Sequence, residues 1–167
     1  MQTTTVTGRA ICAAIALAAA ALLGGCSRGP VAKAPPAQEL AETSHDFGNY
    51  EIHFNALRTD TLTPEIARSY GIQRSTNRVL LNVAILHKAA DGVPRKPVDG
   101  TVQVDAYNLN GQLKNLQMRR IAEGEAIYYI GEVSIAGAEI LVFDIAVTPD
   151  GESQPLKVKL KREFYSG

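Results

Sequence analysis

The sequence predicts an all-β domain, an antiparallel immunoglobulin-like β-sandwich of about seven strands with one short helix. Three observations carry this reading. Runs that alternate apolar and polar residues recur from Tyr50 to Phe164, which is the period of a strand with one buried face. Turn signals such as Asn110-Gly111 and Pro149-Asp150-Gly151 separate the runs at short spacing. No helical pattern between them is long enough to return a parallel strand. A closed barrel would satisfy the same pattern, so that alternative stays open.

The chain begins with an export signal. Arg9 is the one charged side chain ahead of residues 10–23, a run without charge or proline. As a helix that run would cover roughly 21 Å, short of a ~30 Å hydrocarbon core. It reads as the apolar region of a signal peptide. Leu23-Gly24-Gly25-Cys26 closes the run and resembles the lipobox of bacterial lipoproteins. The resemblance implies a diacylglyceryl group on the Cys26 sulfur, cleavage between Gly25 and Cys26, and acylation of the new amino group. More than one acyl chain is needed for stable anchoring. Ser27, where an aspartate would signal inner-membrane retention, implies sorting to the outer membrane.

The expected organisation is a signal peptide over residues 1–25, a tether over 26–43 and a β domain over 44–167. The tether carries Pro30, Pro35 and Pro36 among alanines and polar residues, a composition that spaces rather than packs. Lys and Arg together number 17, as do Asp and Glu. That balance gives no global attraction to nucleic acid. Cys12 and Cys26 are the only cysteines. With one removed and the other lipidated, the mature domain is expected to have no disulfide, thiol nucleophile or cysteine metal site. No cofactor is expected.

The domain's elements follow in order. Tyr50, Ile52 and Phe54 alternate with Glu51, His53 and Asn55 in a first strand. Thr63-Pro64-Glu65 opens a helix of about two turns, with threonine as N-cap and proline in the first helical position. Ile66 and Tyr70 are expected inward, and Gly71 at the stop. Val79 to Leu86 is apolar on both faces except at Asn82, so it reads as a central strand covered on both sides. Residues 91–97 form a loop. Val102, Val104 and Ala106 mark a strand that turns at Asn110-Gly111. A single return strand is expected from Leu113 to Ile121, with Leu116, Met118 and Ile121 inward. Ile127, Tyr129, Gly131, Val133 and Ile135 share one face of the next strand, and Tyr128 and Ile130 the other. Leu141, Phe143, Ile145 and Val147 mark another. In the last, Leu156, Val158, Leu160 and Phe164 oppose Lys157, Lys159, Lys161 and Glu163.

Four segments, FGNYEIHFNAL, LTPEIARSYGIQRS, RVLLNVAIL and EAIYYIGEV, together resemble the DUF4426 family of proteobacterial envelope and lipoprotein domains. The resemblance spans roughly residues 44–165. It implies one compact β domain and brings no activity to any residue.

The candidate sites are few. His45, His53 and His87 lack the spacing of a metal motif, so no metal site is predicted. No serine lies in a nucleophile-elbow context, and Glu123 and Glu125 flank Gly124 as an exposed turn would. No catalytic residue is assigned, and the protein is read as a non-enzyme. Asn82 within an apolar strand needs hydrogen-bond partners, and with Arg74 and Arg78 it could form a pocket for an anion. Tyr128 could anchor a partner or pack beneath Tyr70 and its helix. Lys157, Lys159 and Lys161 could touch anionic lipid, or guard an edge strand against aggregation. The functional expectation is a binding module on the bacterial envelope, held on the membrane by lipid, facing the periplasm and contacting another envelope protein. The alternative is a small-ligand carrier or sensor with a pocket near Asn82 and the 63–71 helix.

Overall fold

The computed structural model of the protein describes residues 42–89 and 95–167. The predicted signal peptide, Cys26, nearly all of the tether and residues 91–94 of the predicted loop lie outside the described residues. The strands are β1 (Ser44–Asp46), β2 (Tyr50–Arg58), β3 (Arg78–His87), β4 (Lys96–Pro97), β5 (Gly100–Asn108), β6 (Leu113–Lys114), β7 (Arg119–Glu123), β8 (Ala126–Ser134), β9 (Ala138–Pro149) and β10 (Leu156–Tyr165). Seven of them are five residues or longer, as the sequence predicts. Among the described residues one helix, α1 (Pro64–Ser69), follows a 3-10 turn at Thr59–Thr61.

The strands form two antiparallel sheets. The larger has six strands in the order β1-β2-β3-β8-β7, with β4 also paired to β3; the smaller has four, in the order β10-β9-β5-β6. The core lies between their inner faces. Ile52, Phe54 and Ala56 from β2, Val79, Leu81, Val83 and Ile85 from β3, and Tyr129 and Val133 from β8 meet Phe143, Ile145, Val147, Leu160 and Phe164 of the smaller sheet. Phe143 and Ile52 are fully buried, and each such side chain contributes ~1.5–3 kcal/mol by leaving water. With no cysteine among the described residues, the fold rests on this packing.

The predicted return strand after Asn110-Gly111 is not continuous. β6 pairs with β5 only through Leu113 and Lys114, whereas Arg119–Glu123 pairs with β8 in the other sheet. Residues 115–118 carry the chain between layers, and Leu116 and Met118 pack on the core as they cross. Gly131 makes room for this. A Cβ there would lie 2.6 Å from Leu116 Cδ1, 2.7 Å from Met118 Sδ and 3.0 Å from Gln117 O. The predicted tight turn itself is present. Gly111 has φ 75°, and the buried Asn108 organises the loop, accepting from Asn110 N and Gln112 N and donating to Glu139 Oε1.

Two polar clamps join the layers. Arg120 Nε lies 2.9 Å from both carboxylate oxygens of Asp99, and the Tyr129 hydroxyl also donates to Asp99. The Arg120 guanidinium and then the Tyr129 hydroxyl lower the Asp99 pKa to about 2. Burial, followed by the Asp99 contact, pushes Tyr129 up to about 12. At the opposite seam, Arg162 of β10 donates to Asn55 Oδ1 at 2.7 Å and to the Ala56 carbonyl, while Arg58 of β2 donates to the Tyr165 carbonyl at 2.7 Å. These side chains satisfy backbone carbonyls of facing strands from separate sheets.

Candidate binding cleft on the outer face of the larger sheet

The outer face of the larger sheet is unusually apolar at one end. Parity sends Leu57 of β2, Leu80 of β3, Ile121 of β7 and Tyr128 and Ile130 of β8 away from the core. Cross-strand pairs bring them together: Leu57 faces Leu80, Asn55 faces Asn82, Asn82 faces Ile130, and Ile121 faces Tyr128. A second cluster covers part of this face, where Ala67 and Ile72 are buried with Leu80 and Ile130 against Leu62, Tyr70, Ile121 and Tyr128. β3 is therefore covered on both sides where the helix reaches.

α1 is short and held from both ends. Thr63 Oγ1 accepts from Ile66 N at 3.3 Å, with Pro64 in the first turn. At the C-terminus Ile72 N donates to Ala67 O at 2.8 Å and Gly71 N to Arg68 O at 3.2 Å, with Gly71 at φ 62°. This is a Schellman close, and its apolar contact is Ile72 with Ala67. A six-residue helix has little stability of its own. Tertiary bonds fix it: the Tyr70 hydroxyl donates to Glu123, and Arg119 donates to the Tyr70 carbonyl. Ala67 is the inward residue. Ile66, expected inward, is 43% exposed, because the helix tilts it over an opening.

That opening is a cleft of about 240 Å³ between α1 and the sheet. Leu57, Leu62, Ile66, Tyr70, Ile72, Leu80, Ile121, Tyr128 and Ile130 line it, and Asn55 and Asn82 supply its polar end. Asn55 Oδ1 is engaged by Arg162. Asn82 Oδ1 is buried with no hydrogen-bond partner, a state that costs ~1–3 kcal/mol. A shallower depression of about 450 Å³ adjoins it, sharing Asn55, Asn82 and Tyr128 and reaching Thr43, His53, Ala84 and Leu86. The Tyr70 hydroxyl titrates above its ordinary range, chiefly because it donates to Glu123, with burial second.

The other sequence candidates disperse. Arg74 donates to the Asp60 carbonyl at 2.7 Å, and Arg78 lies 3.5 Å from Glu132. Neither lines the cleft, so the predicted grouping of Asn82 with two arginines for an anion is corrected: both guanidiniums serve nearby acceptors. Tyr128 packs beneath Tyr70 and the helix region, and Tyr129 points the other way into the core. Lys157, Lys159 and Lys161 stand exposed on the smaller sheet. Lys159, the middle of the three, is matched by Asp144 at 2.9 Å and donates to the Tyr107 hydroxyl at 3.2 Å.

His45 sits 3.1 Å from Glu42, His53 3.1 Å from Glu51, and His87 stacks edge-on against Tyr50. Glu51 Oε2 also lies 2.8 Å from Arg95 Nε; Glu51 Oε2 and His53 Nε2 nevertheless lack hydrogen-bond geometry. Among the described residues no three His, Cys, Asp or Glu side chains converge as a metal site, and no helix is long and apolar enough to cross a membrane.

Sequence reasoning missed Leu57, Leu62 and Ile121 as cleft walls. A signal for Leu57 existed: it lies out of phase with Ile52, Phe54 and Ala56, so alternation already turns it outward.

Fold and cleft together define a single β-sandwich domain with a small, mainly apolar pocket outside its core. The chain belongs to the DUF4426 family, a domain of unknown function, whose sequence profile matches residues 44–167. A DUF4426 family protein from Pseudomonas aeruginosa is 30% identical, with a TM-score of 0.64 over 76% of this chain and 97% of that one. FetP from uropathogenic Escherichia coli strain F11, expressed recombinantly in the periplasm, shares the fold at 11% identity and a TM-score of 0.54, covering 76% of this chain and 95% of its own. A copper-bound variant of FetP gives the same identity and TM-score over 76% and 97%. No functionally curated protein matches the chain.

Proposed function

We propose that this chain is a non-enzymatic binding module of the bacterial cell envelope, held on the outer membrane by lipid at Cys26 and facing the periplasm, that seats one bulky apolar side chain of an envelope protein in the cleft beside α1. The observation that carries this is an apolar cleft in which one buried polar atom, Asn82 Oδ1, has no partner. An incoming group that fills the apolar end and donates a hydrogen bond at the other would relieve the cost of that amide. Size decides between occupants. Pockets for metabolites or drugs usually enclose ~300–1,000 Å³, and this cleft holds about 240 Å³. That suits a single anchor residue of the kind that dominates protein interfaces.

The character of the lining supports a binding role over a catalytic one. It carries no carboxylate, histidine, lysine, arginine or serine, and Tyr70 is held in its neutral form by Glu123. The reading takes nothing from the copper bound by the FetP variant. The second reading, a small-ligand carrier, draws on the adjoining depression that shares Asn55, Asn82 and Tyr128 with the cleft.

The test places a photo-crosslinking side chain at Ile66, at the cleft mouth, or at Lys157 on the far sheet, in cells carrying the anchored protein. A discrete adduct from position 66 alone, lost when Asn82→Leu is added, is expected. Equal adducts from both positions, or none from position 66, would remove the reading.

A further inference from the structure

We propose that the partner's anchor is a tryptophan residue, with its indole in the apolar cleft and its main-chain amide in the adjoining depression; this rests on the cleft being a binding site. The placement of the unpartnered polar atoms carries the inference. Among the described residues three buried side-chain atoms lack a hydrogen-bond partner: Glu51 Oε2, His53 Nε2 and Asn82 Oδ1. All three belong to the outer face of the larger sheet, because Glu51, His53 and Asn55 alternate with the inward Ile52 and Phe54, and Asn55 faces Asn82. Arg95 Nε lies 2.8 Å from Glu51 Oε2 and matches its charge, which leaves Asn82 and His53 to meet a ligand. Asn82 lines both the cleft and the depression, and His53 lines the depression.

The cleft selects the ring. Tryptophan, tyrosine and arginine are the side chains enriched as interface anchors. The lining holds no carboxylate to receive arginine. Asn82 Oδ1 only accepts and an indole N–H only donates, whereas a phenol also brings lone pairs. Phenylalanine or leucine would bury that oxygen unpaired. The indole is also the largest of the aromatic groups, in a cleft of about 240 Å³ where Tyr70 and Tyr128 supply aromatic wall. The depression selects what carries the ring. It holds about 450 Å³ and shares Asn55, Asn82 and Tyr128 with the cleft. His53 stands two residues from Asn55 on the same face, roughly 7 Å along β2, a step comparable to the reach of an indole N–H from its own main chain. A histidine ring nitrogen accepts or donates according to its tautomer, and a peptide group offers both N–H and C=O. A free indole would leave His53 unanswered; a tryptophan within a chain meets both atoms.

The chain contains no tryptophan, so the fluorescence of an acetylated and amidated Ala-Trp-Ala peptide reports its binding to the purified protein directly. Replacing that tryptophan with 1-methyltryptophan, which has no ring N–H, is expected to weaken binding about tenfold. In Asn82→Leu the two peptides should bind alike. The tyrosine and phenylalanine peptides should compete about tenfold less well. His53→Leu should weaken the tryptophan peptide about threefold and leave 3-methylindole unchanged. Equal affinity for the tryptophan and 1-methyltryptophan peptides, a difference between them that persists in Asn82→Leu, or a tyrosine or phenylalanine peptide that competes equally overturns the indole assignment. If His53→Leu weakens both ligands or neither, the main-chain half of the site is removed. Where those results arise while Ile66→Arg, a charge at the cleft mouth, still abolishes peptide binding, the cleft stands without the tryptophan. Binding that Ile66→Arg leaves intact, or no binding of any peptide, sinks cleft and assignment together.

Discussion

Asn82 and Asp99 are both polar groups placed among apolar neighbours, and they differ in what surrounds them. Asp99 is satisfied by Arg120, Tyr129 and its own neighbour Gly100. Asn82 Oδ1 is left with nothing. Asn82→Leu keeps the branched shape and removes the orphan, so it should raise stability by ~1 kcal/mol, read as a higher urea midpoint at unchanged slope. A lower midpoint would mean the amide is structural. Asp99 gives the opposite outcome. Its folded pKa lies at about 2 against an ordinary 3.8, so it contributes stability that is complete above the ordinary value and is lost as pH falls through the folded one. Asp99→Asn should flatten the acid limb of stability between those values. Its side chain is more than a third exposed, so solvent screening should keep the loss at pH 7 under ~1 kcal/mol. An unchanged acid limb would show that the clamp does not govern acid unfolding.

At the scale of elements, close approach at glycine decides how the layers fit. Gly100 opens β5 where a Cβ would meet Thr148 O at 2.5 Å and Pro149 Cα at 3.0 Å, both backbone. At Gly131 the nearest atoms are the ends of Leu116 and Met118, which can rotate, although Gln117 O cannot. Overpacking costs ~1–3 kcal/mol when side chains must shift. Gly131→Ala should fall in that range and Gly100→Ala should exceed it, as measured by thermal unfolding of the two variants. The reverse order would mean that β5 yields more easily than the crossing segment. Gly131 also explains the main departure from the sequence pattern. Leu113, Leu116, Met118 and Ile121 suggested one return strand, yet a glycine in the bulky row of β8 marks a close approach of backbone. The helix was legible end to end, because Thr63, Pro64 and Gly71 each do one local job. Which of its faces turned inward was not, since over so few residues Ala67 and Ile66 are separated only by what they pack against.

For the whole molecule, the two-layer architecture follows from alternation, and its inner rows were legible almost residue by residue. The cleft was not, because it depends on residues distant in sequence sharing an outer face: Leu57, Leu80, Ile121 and Ile130 meet only through strand order. Arg162 shows the same limit. It occupies the inward row of β10 and is tolerable there only because Asn55 and Ala56 of the other sheet accept its protons. Pairing of distant strands also bears on the anchor. A domain that buries its core between its own sheets does not need the membrane to fold, so the lipid proposed at Cys26 should control location and leave stability alone. Cys26→Ala should therefore abolish incorporation of labelled acyl chains and either release the protein from membranes or strand it there with its signal peptide uncleaved, while its unfolding free energy in urea stays within ~0.5 kcal/mol of the parent. More than one acyl chain, as proposed for the parent, would make its attachment stable. Unchanged acyl labelling of Cys26→Ala would contradict the proposed anchor.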